Sequence, residues 1–408
     1  MQNGFPNIRH MRVFLEAAAT GSVSHAAERC HLSQPAATQA ITRLESDLGA
    51  ALLIRRRQQF SLTECGIAFQ KRATSALAHL ETGARAALRA AGATRRRRPS
   101  FERAVTAAQL RTLIAIANSG SFTVAARNLD LSQPTVHRAA RSLEAQAEMT
   151  FFTARPSGVA LTPAAESFVL GAKLAQAEIR QGIEEISRAQ GKDKGTFLLG
   201  SLPLARTTIV PRAIHAMVSD NDGIQIRVID GRYLELLRSL REGDLDCLIG
   251  ALRDPPPADD VHQEFLFRDA LAIVAHPSHP LAQRPSATLQ DTLAYPWIAP
   301  PRETPGGQFL FETLRIEDRE QTPVRIVSSS MVMLRSILAE GPYVSVVSRH
   351  QISVDENLGM ITPLNIPLTG HHRDIGLTYR KGWHPTKTQA QFIEFLQKFS
   401  TVSEEGPH

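Results

Sequence analysis

The chain carries nearly the same ten residues twice, and this repeat limits what it can fold into. LSQPAATQAI begins at Leu32 and LSQPTVHRAA begins at Leu131, an offset of 99 residues. The same offset aligns further dipeptides without a gap: Gly21-Ser22 with Gly120-Ser121, Leu44-Glu45 with Leu143-Glu144, and Leu62-Thr63 with Leu161-Thr162. Matches spread this far predict a duplicated module of about 60 residues.

Each copy reads as three helices followed by a hairpin-like wing. In the first copy, Gly21 ends the first helix and Ser22 caps a short second helix. Ser33 caps the third helix, and Pro35 occupies its first turn, where a missing amide hydrogen has little effect. The predicted ranges are 23–30 for the second helix, 34–48 and 133–147 for the third helices, and 52–63 for the first wing.

The polar face of the third helix indicates contact with DNA. A short helix that turns into a second helix with polar and basic side chains outward suits the major groove. Gln and Arg can pair with base edges, and wing arginines can reach phosphates or the minor groove. The alternative is a three-helix bundle with a solvated polar face. The predicted DNA-binding residues are Ser33, Gln34, Pro35, Thr38, Gln39, Thr42, Arg43, Arg55, Arg56 and Arg57, and in the second copy Ser132, Gln133, Pro134, His137, Arg138 and Arg141.

The stretch FLEAAATGSVSHAAERCHLSQPAATQAITRLESDLGAALLIRR, followed by Leu62-Thr63, resembles the N-terminal winged helix-turn-helix of LysR-type transcriptional regulators. Residues 195–400, including LREGDLDCLIG, resemble the effector domain of the same family. The resemblance implies a DNA-binding regulator that senses a small molecule. The tandem second copy is a departure, because ordinary members carry one.

The two copies are unequal at the wing and at the preceding turn. The family's wing arginine corresponds to Arg55, whereas Ala154 stands at that position in the second copy, one residue before Arg155. Gly49 in the turn corresponds to Glu148. Three interpretations of the second copy stay open: it binds a second DNA half-site, it contacts only phosphates, or it has become a spacer or dimerisation module.

Two long helices connect the modules to each other and to the rest of the chain. The first comes after copy one and ends before the basic tether Arg95–Arg98 and Pro99. The resemblance implies that this helix pairs with its equivalent in a second subunit, and the alternative is packing on its own domain. The second helix runs from Pro163 to about Gln190 and directly precedes the effector domain, so its position makes it the better candidate for dimerisation. Its apolar face carries Ile179, Ile183 and Ile186.

From Thr196 onward, strands alternate with helices in a βαβαβ order that is typical of a parallel sheet. A second half begins near Leu271, and the chain returns to the first half through DIGLTYR and a closing helix. Ligands of such sheets bind beyond the carboxyl ends of the strands. The predicted effector-binding residues are Ser201, Pro203, Leu204, Arg206, Tyr233, Arg302, Ser329, Ser330 and Met331, although serine before a helix is most often a cap and the arginines and tyrosine can be plain surface residues.

The charge distribution favours a DNA-binding front. Residues 1–100 hold 15 Lys and Arg against 6 Asp and Glu, whereas residues 196–408 hold 20 against 25. A basic head on a mildly acidic body fits binding of a polyanion by the N-terminal part.

No sequence motif supports an enzyme. The chain lacks a G-x-S-x-G elbow, a P-loop and an H-E-x-x-H motif, and Cys30, Cys65 and Cys247 fit no disulfide or zinc pattern. His371 and His372 would point to opposite faces of a strand, which makes a poor ligand pair. We expect no catalytic residue, metal or cofactor. The absence of a long apolar run and of an export signal predicts no membrane association and a cytoplasmic location.

The predicted fold class is a multidomain α and α/β protein, with two winged helix-turn-helix domains and a two-lobed effector domain like periplasmic binding proteins. The predicted domains are 1–66 (DNA-binding), 67–105 (linker helix and basic tether), 106–165 (second winged helix-turn-helix), 166–194 (linker or dimerisation helix) and 195–408 (effector-binding). The expected partners are double-stranded DNA, a sugar or an aromatic or carboxylic acid as effector, further copies in a homodimer or homotetramer, and RNA polymerase as a candidate. A purely architectural DNA-coating protein would not need the cleft.

Overall fold

The two repeated segments fold into the same order of elements in a computed structural model of the chain. The structure describes residues 4–55, 60–92, 101–156, 158–192, 194–318, 323–368 and 372–401, without the side chains of Arg55, Asp318 and Thr401. The chain forms two compact units, one of residues 1–196 with 242–244 and the other of residues 197–241 with 245–408.

The first unit contains both repeated modules and the long helix that follows each. The elements of the first module are α1 (Ile8–Thr20), α2 (Val23–Arg29), α3 (Gln34–Leu48), β1 (Leu53–Arg55) and β2 (Phe60–Leu62), followed by α4 (Glu64–Ala90). Those of the second are α5 (Ala107–Ser119), α6 (Phe122–Asn128), α7 (Gln133–Ala147), β3 (Phe152–Arg155) and β4 (Gly158–Leu161), followed by α8 (Pro163–Ala189). Helices α3 and α7 have the ranges that the sequence predicts.

Matching local signals fix the first turn in both modules. Gly21 and Gly120 end α1 and α5 with φ of 66° and 61°, in the left-handed region that glycine adopts without strain. The next residues, Ser22 and Ser121, accept hydrogen bonds from amides in the first turns of α2 and α6. The same capping chemistry therefore sets the start of the second helix in each module.

One continuous apolar core runs through this first unit. In the first module, the rings of Phe14 and Phe69 lie 6.0 Å apart. In the second module, the ring centre of Phe168 lies 4.9 Å from that of Phe101 and 5.9 Å from that of Phe151. Phe69 and Phe168 stand 99 residues apart on α4 and α8, so each long helix anchors its module at an equivalent position.

The second unit is built on a mixed sheet covered by helices. Its strands are β5 (Gly195–Ser201), β6 (Ile224–Ile229), β7 (Cys247–Ala251), β8 (Val261–Ala275), β9 (Trp297–Ala299), β10 (Val324–Val327), β11 (Val344–Ser348), β12 (Thr362–Pro363) and β13 (His372–Arg380). Its helices are α9 (Ile209–Asp220), α10 (Tyr233–Glu242), α11 (Leu289–Thr292), α12 (Pro305–Gln308), α13 (Met331–Glu340), α14 (Ser353–Asn357) and α15 (Lys387–Thr401). The strand order is β10-β9-β11-β8-β13-β7-β5-β6, with β12 beside β8.

Strand β8 joins two lobes of this unit. Its residues 261–270 pair antiparallel with β13, and its residues 271–275 pair antiparallel with β11. The lobes have separate apolar cores, one around Phe197 and Phe392 and the other around Trp297 and Leu310. Strands β5 and β7 run parallel, as do β9 and β10. This two-lobed α/β arrangement confirms the fold class predicted for the C-terminal half.

Candidate nucleic-acid interface and effector cleft

Helix α3 presents most of its predicted reading residues on one exposed face. Gln39, Thr42 and Arg43 are exposed, and Thr38 is half-buried. Ile41, on the opposite face, is buried in the core of the module. The residues that border one shallow surface depression on this helix are Gln34, Pro35, Ala36, Thr38, Gln39 and Thr42. The spacing therefore gives α3 one polar face on the surface of its module.

The serines at the starts of α3 and α7 are caps. Ser33 Oγ accepts a hydrogen bond from the amide of Ala36 at 3.4 Å, and Ser132 Oγ accepts one from Thr135 at 3.3 Å. Both predicted serines are exposed, so capping does not remove them from the surface. The glutamine and proline that follow each serine, at 34, 35, 133 and 134, are exposed as well.

Helix α7 carries a more basic face than α3. His137, Arg138 and Arg141 are exposed, while Val136 is buried. Arg141 Nη1 lies 2.6 Å from Oε2 of Glu144, an ion pair on the same helix. Arg138 Nε donates only a long hydrogen bond, 3.4 Å, to a main-chain oxygen one turn earlier. Of these three residues, Arg141 is thus the one that is already held by a carboxylate.

A glutamate on each third helix holds the wing, a role that the sequence did not reveal. Oε1 of Glu45 accepts hydrogen bonds from the amides of Leu52 at 2.8 Å and Leu53 at 3.1 Å. Glu144 does the same for the two equivalent amides of the second module, also at 2.8 and 3.1 Å. The repeated Leu-Glu dipeptide was the visible signal. A carboxylate that accepts two amide hydrogens fixes the wing to the third helix of its module.

The predicted wing arginines are placed only in part. Arg55 lies in β1 opposite Phe60, while Arg56 and Arg57 lie outside the described residues, as does the basic tether Arg95–Arg98. In the second wing, Arg155 pairs with Gly158 in the hairpin and is exposed beside exposed Ala154. A cation is thus present on the second wing, one residue from the position that the resemblance assigns.

The turn after the third helix is more strained in the second module. Gly49 has a φ of 65°, and Glu148 adopts nearly the same conformation with a φ of 48°. A residue with a Cβ loses about 1 kcal/mol in this left-handed region, whereas glycine does not. The second module keeps the turn geometry of the first although its sequence has changed.

Predicted effector residues of the first lobe meet at the end of β5. Ser201 is fully buried, and its main-chain oxygen accepts a hydrogen bond from Arg206 Nε at 3.2 Å. Arg206 Nη2 also lies 3.0 Å from Oδ1 of Asp230, and burial lowers the pKa of this guanidinium. Pro203 is exposed and Leu204 is buried. The structure therefore brings Ser201 and Arg206 together, with the guanidinium already paired to an acid.

Tyr233 and Arg302 already have partners of their own. The guanidinium of Arg253 lies 4.7 Å from the ring centre of half-buried Tyr233, and burial raises the pKa of this phenol. Exposed Arg302 forms an ion pair with Glu317 and lies 4.5 Å from the ring of Phe311. Both side chains would have to exchange these contacts before they could hold a ligand.

The serine-rich segment after β10 forms the start of α13. Ser330 Oγ accepts a hydrogen bond from the Met333 amide at 3.3 Å, so it is the helix cap. Ser329 is exposed, and Met331 is half-buried at the first position of the helix. Both serines are exposed, and Ser330 Oγ is engaged as the cap of α13.

A buried polar cluster around one acid, at the junction of the lobes, was missed by sequence reasoning. Asp269 of β8 is fully buried, with Arg373 Nη2 at 2.8 Å, Ser348 Oγ at 2.8 Å and His350 Nδ1 at 3.2 Å from its carboxylate oxygens. Burial alone would raise the pKa of Asp269, but the hydrogen bonds from His350 and Ser348 and the charge of Arg373 hold it below its ordinary value. This cluster ties together the strands that connect the lobes.

Among the residues that the structure describes, no group of three or more His, Cys, Asp or Glu side chains could hold a metal ion. His371 lies outside the described part, and His372 is the first residue of β13. Cys30, Cys65 and Cys247 are free thiols. No described helix combines the length and apolar character needed to cross a membrane.

Comparison with protein families agrees with this geometry. The description "LysR substrate binding domain" matches residues 190–400, more than half of the chain. This chain belongs to the LysR family. The description "Bacterial regulatory helix-turn-helix protein, lysR family" matches residues 8–67 and, separately, residues 107–166.

Relatives of this LysR-family protein are regulators. It is 28% identical to the HTH-type transcriptional regulator GalR of Pseudomonas putida, over 92% of this chain and 93% of that protein. It is 24% identical to the regulator PcaQ of Agrobacterium fabrum, over 71% of this chain and 93% of that protein. A full-length OxyR from Pseudomonas aeruginosa has the same fold, with a TM-score of 0.50 and 22% identity over 71% of this chain and 97% of that one.

Membership of the LysR family confirms the predicted function. The protein is a ligand-responsive, DNA-binding transcriptional regulator, with helix-turn-helix structure at its N-terminus and an effector-binding domain at its C-terminus. Proteins of this family are regulators rather than enzymes.

Proposed function

We propose that this LysR-family regulator reads operator DNA through two winged helix-turn-helix modules and responds to a small anionic or polar effector. The observation that carries the first part is the matched construction of α3 and α7. Each begins at a capping serine, presents a polar face, and holds its wing through one glutamate. This shared construction supports the proposal that both modules bind DNA through their third helices.

The lengths of the relatives support a tandem duplication. PcaQ is covered over 93% of its length by only 71% of this chain, as expected if this chain holds one module more. GalR is covered over 93% by 92% of this chain, as expected for a protein of the same layout. The proposed domains keep the predicted boundaries: 1–66, 67–105, 106–165, 166–194 and 195–408.

Of the three interpretations of the second module, we favour reading of a second half-site. Exposed His137 and Arg138 replace the less basic Thr38 and Gln39, and both can donate to the acceptor-rich edge of guanine. A module that had become only a spacer would not need to keep this face exposed and its wing anchored. Exposed Arg155 supplies a phosphate contact on the second wing.

Base reading by α3 can be tested with Arg43, which is exposed on the reading face. DNA selected from a random-sequence library by the full chain supplies the specific duplex. The variant Arg43→Ala should lose affinity for this duplex by roughly 1–3 kcal/mol, and affinity for unrelated DNA by much less. Arg85→Ala, which removes an exposed arginine from α4, is the matched control. An equal loss on both DNAs would reject base reading by Arg43.

For the effector, we propose a sugar or an aromatic or carboxylic acid, bound where the β-strands of the two lobes end. Ser201, Pro203, Leu204, Arg206 and Tyr233 are the first-lobe candidates. Arg302, Ser329, Ser330 and Met331 are those of the second lobe. Support comes from the exposed Ser329 hydroxyl beside the N-terminus of α13, which favours an anion or a polar group.

A panel of sugars and carboxylic acids tests this assignment through thermal unfolding of the second unit. Both tryptophans, Trp297 and Trp383, belong to that unit, so their fluorescence reports it alone. A ligand at about 100 times its Kd should raise the midpoint by roughly 5–10 °C. Ser329→Val, just before α13, should weaken this effect, while Ser336→Val, at an exposed position within α13, should not. Failure of every compound, or equal effects on both variants, would count against the site.

The remaining partners follow from the proposed role. We propose that copies associate as homodimers or homotetramers, that RNA polymerase is a partner at promoters, and that the protein acts in the cytoplasm, where its DNA lies. Effector binding would then change the lobes and the placement of the DNA-reading modules.

A further inference from the structure

The two long helices α4 and α8 pack against each other in opposite directions within one chain. Near one end, Cys65 Sγ lies 4.0 Å from the main-chain oxygen of Ile186. Near the other end, Gly83 of α4 touches Gly171 of α8, where a Cβ on Gly83 would lie 3.0 Å from the Gly171 Cα. Residue numbers therefore rise along α4 as they fall along α8. The face of α8 predicted to dimerise, including buried Ile179, has a partner in its own chain.

The two ends of this helix pair, which we call the α4–α8 seam, are equivalent under the repeat. Gly83 and Gly182 stand 99 residues apart, as do Arg72 and Gly171. Gly83 packs against Gly171, and Gly182 packs against Arg72, whose Cβ lies 3.0 Å from the position that a Cβ on Gly182 would take. Each module thus contributes the same two positions to the other, as two subunits do across a twofold axis.

Arg72 breaks this equivalence. It is 2% exposed, and its guanidinium nitrogens lie 3.1 Å from Glu178 Oε2 and 2.6 Å from Glu185 Oε1, both on α8. Nη1 also donates to Gln181 Oε1 at 2.6 Å. The positions equivalent to these three partners on α4 are His79, Thr82 and Ala86, and none of them is a carboxylate. The anionic half of the network therefore belongs to the second module alone.

The charges disfavour pairing of like helices. Two α4 helices in the same register would bury Arg72 opposite residues that cannot neutralise it, and an uncompensated buried charge is strongly unfavourable. Two α8 helices would set Glu178 and Glu185 opposite Gly171, without the cation. Only a pair of one α4 and one α8 provides partners for both Arg72 and the two glutamates. Because the two modules belong to one chain, every chain contains such a pair.

We propose that the α4–α8 seam is a heterotypic interface formed within one chain, specified by Arg72 with its two glutamates. One chain then carries a complete two-module head, and α4 does not pair with a second subunit. The part of this inference that concerns DNA rests on the proposed function and deepens it. Because the residues of α3 and α7 differ, the head of one chain binds two unlike half-sites. Because an operator mirrors the symmetry of its reader, the site bound by the head of one chain should be non-palindromic.

Selection from random-sequence DNA of about four helical turns tests the operator with the full chain. The expected motif has two different halves. Gln39→Ala with Arg43→Ala should relax one half, and His137→Ala with Arg138→Ala should relax the other. A palindrome of one repeated half-site would overturn the inference. Absence of any enrichment would count against DNA reading itself, and the seam would still be decided by cross-linking.

Cross-linking decides between pairing within and between chains. The full chain with Cys30→Ser and Ser187→Cys places a thiol next to the Ile186 oxygen that Cys65 contacts, while Cys247 is fully buried. A short bis-maleimide should give an adduct of single-chain size on a denaturing gel, with a peptide that joins 65 and 187. The same chain with Arg85→Cys in place of Ser187→Cys should not link, because about 20 helical residues separate its thiols by about 30 Å.

Mixed chains test directly whether α4 and α8 pair between two chains. One chain keeps only Cys65 reactive, and the other carries Cys65→Ala with Ser187→Cys, each with Cys30→Ser and its own tag. Co-expressed chains should yield no 65–187 peptide that joins the two tags. Such a peptide, or a double-cysteine sample that links mainly into covalent dimers, would overturn pairing within one chain.

Discussion

Replacing Arg72 by methionine should selectively destabilise the first unit. Methionine keeps most of the apolar stem volume but removes the guanidinium that lies between Glu178 and Glu185. Removal of one partner of a buried ion pair typically costs about 3–5 kcal/mol, because the other charge stays behind. The two glutamate side chains are 13% and 23% exposed, so water can partly solvate them. We therefore expect a loss of about 3 kcal/mol, at the lower end of that range.

The assay separates the two units. Far-ultraviolet circular dichroism follows the helices of both units, most of which belong to the first, whereas fluorescence of Trp297 and Trp383 follows the second unit alone. A dichroism transition that shifts while the fluorescence transition stays in place therefore belongs to the first unit. For a unit of this size, about 3 kcal/mol corresponds to roughly 6–12 °C in Tm. The helical transition of Arg72→Met should fall by this amount, while the fluorescence transition stays in place.

Two further variants identify the cause. Arg85→Met, from a 64% exposed position near Glu81 on the same helix, should change Tm by no more than about 2 °C. Adding Glu178→Gln and Glu185→Gln to Arg72→Met should restore much of the loss, since the stranded charges disappear. Equal shifts for the two arginine variants, or no rescue by the glutamines, would refute the electrostatic account of the seam.

Three other predictions concern the wing, the helix contact and pH. Glu144→Gln should weaken the two hydrogen bonds to the wing and lower the Tm of the first unit by about 2–6 °C. The control Glu148→Gln, at an exposed position, should leave this Tm unchanged. Equal Tm changes for the two variants, measured by circular dichroism, would reject the role of Glu144 in holding the wing. Gly171→Ala should lose about 1–3 kcal/mol, since its Cβ would lie 2.6 Å from the His79 oxygen, and an unchanged melt would contradict the close contact. The lowered pKa of Asp269 stabilises the second unit above the carboxyl's unfolded value of about 4, and this stabilisation is lost as pH falls through the folded pKa. In Asp269→Asn, the stability of the second unit, measured by tryptophan fluorescence, should therefore change less as the pH is lowered. A pH dependence equal to that of the unaltered protein would contradict this role of Asp269.

Local signals explain why so much of the first unit could be predicted. The capping serine and the first-turn proline define the start of α7, and its observed range, Gln133–Ala147, is the predicted one. The wing anchor shows where such reasoning stops. The Leu-Glu repeat was evident, but the amides that donate to Glu144 lie seven and eight residues away, across a turn whose geometry the sequence does not state.

Long-range pairing could not be read from the sequence. Arg72 and its partner Glu185 are 113 residues apart in the sequence. The spacing of the isoleucines on α8 is the same whether their face packs against another subunit or against another helix of the same chain. Asp269 likewise meets Ser348 and Arg373 across 79 and 104 residues. Strand ends located the candidate effector residues, whereas the acids that hold Arg206 and Arg302 depend on loop conformations with no sequence pattern.

The most direct test of DNA reading by both modules is a footprint of the full chain on its selected operator. We expect two protected segments, one or more helical turns apart, from a head carried by one chain. His137→Ala with Arg138→Ala should remove protection from one segment and leave the other. The same footprint for this variant and the unaltered protein would contradict reading of DNA by the second module.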